Sequence, residues 1–233
     1  MRIWDISPGY LNRASLLGEH RELHGLASIH INQKKGYSRH PETMRWKHYL
    51  PALAMRHELL VAEMQLRGYQ HHSPLPIEAG TEKWPDYLDA PALQIKKLRE
   101  KYIAKESGRI PLPHTLQELW EHHRFSVMAR DTGKYRLYER KSPNFEFDEF
   151  LNEINETIRR EPRQSDVENT IEKMWQCLKP NSNIELSTKN KFQKLQQIAK
   201  EEENKKLLHT TALTELSLWL HESHQDMQNR YSA

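Results

Sequence analysis

The sequence predicts an all-α protein in two parts. Three observations carry that expectation. Apolar residues recur at three- and four-residue intervals through most of the chain. No strand-like alternation of apolar and polar residues is sustained anywhere. Proline, glycine and asparagine clusters cut the chain into pieces of helical length.

Taken in order, Leu16, Leu17, His20, Leu23, Ala27 and Ile31 follow helical spacing. Leu50, Leu53, Ala54, His57, Leu60, Val61 and Met64 follow it more clearly, and Gly68 supplies a C-cap. Residues 71–91, HHSPLPIEAGTEKWPDYLDAP, read as a loop because prolines and a glycine interrupt them. A helix is expected over 91–106. GRIPLPHTLQELW then reads as a turn and a capped helix, with Thr115 as N-cap and Glu118 at the third helical position. A seam falls near ERKSPNF, 139–145. Beyond it glycine disappears and Glu, Lys, Asn and Gln become frequent. Helices are expected at about 146–160, 165–178, 188–208 and 211–224, with EPRQ and KPNSN between the first three. There is no internal repeat. The division is therefore 1–142 and 143–233. The second part is a helical extension, either a small bundle or a set of helices packed on the first part.

Composition narrows the function. The 233 residues are 36% hydrophobic and 29% charged, so a core is possible under a polar surface. No apolar run approaches the roughly 20 residues of a membrane span, so no membrane partner is expected. MRIWDISPGY lacks a signal peptide's apolar stretch. A single cysteine, Cys177, excludes an internal disulfide and a Cys-based zinc site. It is expected in a helix core. Together these features fit a cytoplasmic protein. Charge is uneven: residues 1–142 hold 23 Lys/Arg against 16 Asp/Glu, and residues 143–233 hold 12 against 16. Eleven of the 14 histidines lie in the first part. A basic first part points to a polyanion, most simply nucleic acid.

Within that part, LLGEHRELHGL (16–26) sets Gly18 four residues before Glu22 and Gly25 three after it. At 3.6 residues per turn these spacings put all three on one stripe. Each helical glycine costs about 1 kcal/mol relative to alanine. Two uses account for the pair: bare backbone for close approach of a ligand, or close packing of a second helix with Glu22 merely solvated.

Further along, Lys34, Lys35, Arg39 and Arg45 form a basic run with Tyr37 and Trp46 interleaved. This suits phosphate contacts with an aromatic stack, or else a solvated loop. Arg124, in HHRFSVMAR, is a second phosphate candidate. His20 and His24 are spaced i, i+4, which suits a metal pair, but no third ligand is evident. They read as packing or DNA contacts. His71/His72 and His122/His123 are adjacent pairs, poorly aimed at one ion. No metal and no other cofactor are expected.

The N-terminal Met-Arg-Ile, EHRELHGL, VAEMQLRGY and VMARDTGKYRLY occur in an order and spacing that resemble the phage-type pyrimidine-dimer DNA glycosylases, also called endonuclease V of that type. The resemblance covers roughly residues 1–142. It implies two catalytic groups: the α-amine of the first residue, and a glutamate 21 residues later within Arg-Glu-Leu. Here those groups are Met1 and Glu22, in Arg21-Glu22-Leu23. The phage enzyme loses its initiator methionine. In this chain Arg2 is bulky and is expected to prevent that loss, so the Met1 amine keeps the spacing. Arg2 matches a family arginine, and Arg2 and Arg21 are implied DNA contacts.

The sequence departs from the family at Gly25 and Ser15, where the family has an arginine and a histidine. Its aromatic end is reduced to Tyr135 and Tyr138. These positions contact damaged DNA in the family. The implied partner is double-stranded DNA carrying a pyrimidine dimer or another damaged or modified base. The implied activity is glycosylase with abasic-site lyase, which makes the protein an endonuclease in effect. Two other readings stand beside it. One is a non-catalytic DNA-binding protein that keeps the fold. The other is a partner-controlled DNA-processing module whose extension docks a protein.

Overall fold

A computed structural model describes residues 2–140, 145–178, 186–201 and 204–220. Met1, most of the seam, KPNSN and the last part of the expected 211–224 helix lie outside the described residues. Among the described residues the protein is all helical, with no strand. An N-terminal segment leads through a short 3-10 turn, Pro8–Tyr10, into α1 (Arg13–Ile31). Then come α2 (Pro41–Trp46), α3 (Leu50–Leu66), α4 (Pro91–Lys101), α5 (Leu116–Met128) and α6 (Thr132–Arg140). The extension supplies α7 (Phe147–Ile158), α8 (Gln164–Leu178), α9 (Thr188–Glu201), α10 (Lys205–Leu208) and α11 (Ala212–Glu215), with a final 3-10 turn, Leu216–Trp219.

Local chemistry explains the starts and stops. Asn12 caps α1 by accepting from the Ser15 N–H at 2.9 Å. The Thr115–Glu118 capping box forms as expected, and α7 has a second one between Glu146 and Glu149. Gly68 follows α3 at φ +83°, the left-handed geometry that ends a helix at little cost for glycine. The 71–91 stretch carries no helix up to Ala90. α4 stops at Lys101, short of the expected 106, where the backbone turns into a left-handed Ala104. The six-residue α2 is too short to leave a periodic signal.

Among the described residues two apolar cores hold the helices together, and both mix residues from the two parts of the chain. The first joins Ile3, Trp4 and Ile6 to Leu16, Leu23 and Leu26 of α1, Leu53 and Leu60 of α3, and Phe150, Leu151 and Ile154 of α7. The second joins Leu66, Phe125 and Ala129 to Val167, Ile171 and Trp175 of α8, Phe192 and Leu195 of α9, and Leu213. Buried charges cross the same boundary. Arg109 donates to both oxygens of Glu63 at 2.9 and 2.8 Å, and the Thr214 hydroxyl donates to Glu63 at 2.5 Å. Burial raises the Glu63 carboxyl, but Arg109 and Arg67 outweigh it and hold the pKa at about 2. Cys177 departs from expectation: it is exposed, in the last turn of α8 beyond the buried Trp175.

Candidate active site

The site begins with the N-terminal segment. Ile3, Trp4 and Ile6 are buried, which seats residues 2–6 along α1. The Trp4 N–H donates to Oε1 of Glu19 at 3.0 Å. Two residues earlier, the Arg2 N–H donates to Oε2 of Glu22. Glu19 and Glu22 lie one turn apart on one face of α1. The segment therefore runs antiparallel to the helix, and its amides meet successive carboxylates.

Each contact in this seat is itself braced. Glu19 is 2% exposed and is gripped by Arg56 through two bonds, at 2.8 and 2.9 Å. Arg56 also donates to the Ile6 carbonyl at 2.7 Å, tying α3 to the same segment. Asp5 is held from three sides. Arg45 pairs with its Oδ1, Arg159 at the C-cap of α7 donates to Oδ1 at 2.7 Å, and Gln94 donates to Oδ2 at 2.9 Å. The extension thus reaches the chain segment that carries Arg2.

Around Glu22 the surface is open. Glu22 is partly buried, and Gly25 and Arg21 are exposed. A Cβ built on Gly18 or Gly25 meets nothing within 4 Å. Among the described residues no second helix packs there, which favours bare backbone beside the carboxylate as the use of these glycines. Arg2 extends from the same point. Its guanidinium pairs with Asp89 and lies 4.6 Å over the Trp4 ring. Asp89 also accepts from Lys97 at 2.5 Å, and these two cations hold its carboxyl below the usual range, Lys97 more than Arg2.

The other candidate residues separate into available and committed groups. Lys35 and Arg39 are exposed in the turn after α1, where Tyr37 is 72% exposed. Arg45 is not available to a phosphate: its side chain is 4% exposed, paired with Asp5 and with Glu42 at 2.9 Å. Trp46 is 1% exposed and donates to Glu42 at 2.9 Å, so it cannot stack on a base. Arg124 lies over Phe125 and near Glu139, at 3.4 Å, on a different helix from Glu22. Tyr138 is buried against Trp120 and Phe150, and its hydroxyl donates to Glu153 at 2.7 Å. The extension therefore covers part of the expected aromatic end. Met1 lies outside the described residues.

On the opposite side of α1 the fold assembles a group that the sequence did not reveal. His20 and His24, two residues either side of Glu22, point away from it by about half a helical revolution. There they meet His57 of α3 and His71 of the loop after it, and one ring nitrogen from each comes within 4.8 Å of the others. Burial, then the neighbouring imidazoles, push His20 down to about 4 and lower His24 and His71. The i, i+4 pair was visible in the sequence. Its partners come from a helix and a loop far along the chain, which only the packing of α1 on α3 brings in.

Residues 1–76 match the family model described as pyrimidine dimer DNA glycosylase. This is the family that the sequence resembles. The match contains Arg2, Arg21, Glu22, Lys35, Arg39 and Arg45, and it stops before Arg124 and VMARDTGKYRLY. No curated protein and no solved structure matches the chain.

Proposed function

We propose that the protein is a DNA glycosylase with abasic-site lyase activity. Its substrate would be double-stranded DNA carrying a pyrimidine dimer or another damaged or modified base, and its catalytic groups the α-amine of Met1 and Glu22. One observation carries the reading: the Arg2 N–H is bonded to Glu22. That bond sets the start of the described chain, one peptide unit from the Met1 amine in sequence, against the carboxylate. The family match over residues 1–76 supports the same assignment.

The chemistry suits an α-amine. Only the neutral form attacks the sugar C1′. With reference pKa values near 8 for an α-amine and 10.4 for lysine, roughly 300 times more of the former is neutral at pH 7. Attack forms the C1′–N bond while the C1′–base bond breaks. The base leaves with the electron pair and takes up a proton. Loss of the proton remaining on nitrogen and opening of the sugar give an imine. Glu22 stabilises the cationic sugar in the first step. It then removes a proton from C2′, and β-elimination expels the 3′ phosphate. Open backbone at Gly18 and Gly25 leaves room for the DNA strand beside the carboxylate.

Exposed Lys35, Arg39 and Arg21 serve as phosphate contacts in this reading, with Arg2 beside the reacting sugar and Arg124 further out. Arg45 instead helps seat the N-terminal segment. Residues 143–233 act first as a brace, since Arg159 holds Asp5; docking of a protein partner is a second role open to the same helices. The test is an activity panel: duplexes with a dimer, an abasic site, modified bases or no damage, each incubated with wild type and Glu22→Gln. Cleavage of a damaged duplex that is lost in Glu22→Gln supports the reading. Binding to all duplexes with no cleavage of any would favour a non-catalytic DNA-binding protein.

A further inference from the structure

The four histidines behind Glu22 take no part in that chemistry. We propose that His20, His24, His57 and His71 bind one divalent transition-metal ion, zinc by its geometry, as a structural clasp joining α1, α3 and the loop after α3.

His20 and His24 are one turn apart on α1, His57 lies on α3, and His71 follows α3 by five residues. Neighbouring ring centroids are 4.7 to 5.1 Å apart. Four nitrogens around zinc at 2.0–2.1 Å sit about 3.3 Å from one another. Nε2 of His20 and Nε2 of His71 are already 3.1 Å apart, and no pair in the cluster exceeds 4.8 Å. Modest side-chain rotation closes the remaining gaps.

Hydrogen bonding points the same way. Nδ1 of His57 bonds Oε1 of Glu58 at 2.8 Å, and in the neutral tautomer that donates there Nε2 carries a lone pair. A carboxylate on the far nitrogen of a histidine is the usual outer support of a metal ligand. That Nε2 is buried and, among the described residues, has no hydrogen-bond partner, and the same is true of Nε2 of His24. Buried polar atoms are mostly paired, and two unpaired ones within a single histidine cluster suit a shared occupant. A shared cation satisfies both at once.

The donor set selects the ion. Imidazole nitrogens without thiolate suit zinc, copper, nickel or cobalt, and disfavour calcium and magnesium, which take oxygen. Four protein ligands close a tetrahedron and leave no open position, so the site is structural and not catalytic. Its consequence is mechanical. Clasping both sides of position 22 from behind fixes the rotation of α1 about its axis, and with it the aim of Glu22.

The test uses untagged full-length protein without DNA. Zn2+ binding is followed by calorimetry and Co2+ binding by visible absorption. The expected results are one equivalent of Zn2+, a tetrahedral Co2+ spectrum, and a higher melting temperature with zinc. His71→Gln, at a partly exposed loop position, and His57→Gln should each abolish one-to-one binding. Glu58→Gln, which alters only the outer support, should weaken it roughly 10- to 100-fold. Circular dichroism checks that each variant is folded, and where His57→Gln is not, His71→Gln and the wild-type titrations decide. Absence of saturable one-to-one binding by wild type, an octahedral Co2+ spectrum, or full binding by His71→Gln would overturn the proposal. No DNA is present, so either result leaves the glycosylase reading standing or falling on its own tests.

Discussion

The backbone nitrogen of Arg2 donates to Oε2 of Glu22, twenty residues further along the chain. This contact fixes the start of the described chain against the carboxylate with an open surface beside it. It does not stand alone. The Trp4 N–H makes the matching bond to Glu19, and Arg56 locks Glu19 in a bidentate pair. A single hydrogen bond to a charged group adds about 1.5–3 kcal/mol. The buried seat beneath it is what makes the geometry durable.

Glu22→Gln keeps the shape of the side chain and its capacity to accept from Arg2 while removing the charge. Strand cleavage should fall by roughly 100- to 10,000-fold, the usual range for a lost acid–base group. Affinity for an abasic or damaged duplex, measured by fluorescence anisotropy, should change little. Cleavage at the wild-type rate by folded mutant would remove Glu22 from the mechanism.

Salt dependence separates the arginines. Log affinity should fall linearly with log salt, by about 0.9 for each phosphate neutralised. Reversing Lys35 and Arg39 together should lower that slope by about 2. Arg45→Ala should leave the slope alone and instead destabilise the fold by roughly 3–5 kcal/mol, because it strips a partner from buried Asp5 and Glu42. Thermal melts and binding isotherms at four salt concentrations measure both effects.

How far the sequence reached depends on whether a feature is local. Thr115 with Glu118 is a contact between neighbours on one turn, so its capping box was legible. The glycine pair around Glu22 was legible as a stripe, and the space above both glycines is open among the described residues. Arg45 and Trp46 read as a surface run because nothing local says that Asp5, forty residues away, will meet Arg45; the Glu42 contacts are neighbours on α2 that the reading passed over. Tyr138 failed likewise: its cover, Phe150, comes from the extension. The histidine quartet needs α1 and α3 packed side by side, and one sequence does not disclose that pairing.

The extension should prove integral to stability. Arg130 and Glu215 lie 3.6 Å apart with side chains 3% and 4% exposed, joining the first part of the chain to α11. Glu215→Ala strands the buried guanidinium and should cost roughly 3–5 kcal/mol. The double change Arg130→Met with Glu215→Leu should recover most of that loss, since removing both charges avoids the unpaired one. A double-mutant cycle by chemical denaturation tests this. Equal stability of Glu215→Ala and wild type would contradict it.

Stability should also fall in mild acid. Burial pushes His122 down to about 4 and His123 to about 3, where both bond the Tyr10 hydroxyl at 3.1 and 2.9 Å. His209 lowers His122 further, while Glu118 and Glu121 act against it. Because the folded values lie below the unfolded value near 6.5, the unfolded chain takes up protons first. Their contribution is complete above pH 6.5 and is lost as pH drops from there towards 4. The slope is up to about 1.4 kcal/mol per pH unit for each histidine. Denaturation midpoints between pH 7 and 4.5 should show the decline, and His123→Gln should flatten it.

Borohydride trapping on abasic DNA is the most direct test of the central claim, that the Met1 amine acts against Glu22. Adding one residue moves the amine by up to about 3.8 Å, well beyond the roughly 0.5 Å that a catalytic arrangement tolerates. Acetylation leaves the position unchanged but removes the nucleophilic lone pair. Protein whose intact mass includes an unmodified Met1 should therefore be linked covalently to the DNA on reduction. N-terminally extended or acetylated protein should not be, and a C-terminal tag should make no difference. Full trapping by the extended form, or by protein beginning at Arg2, would contradict the account and assign the imine to another amine.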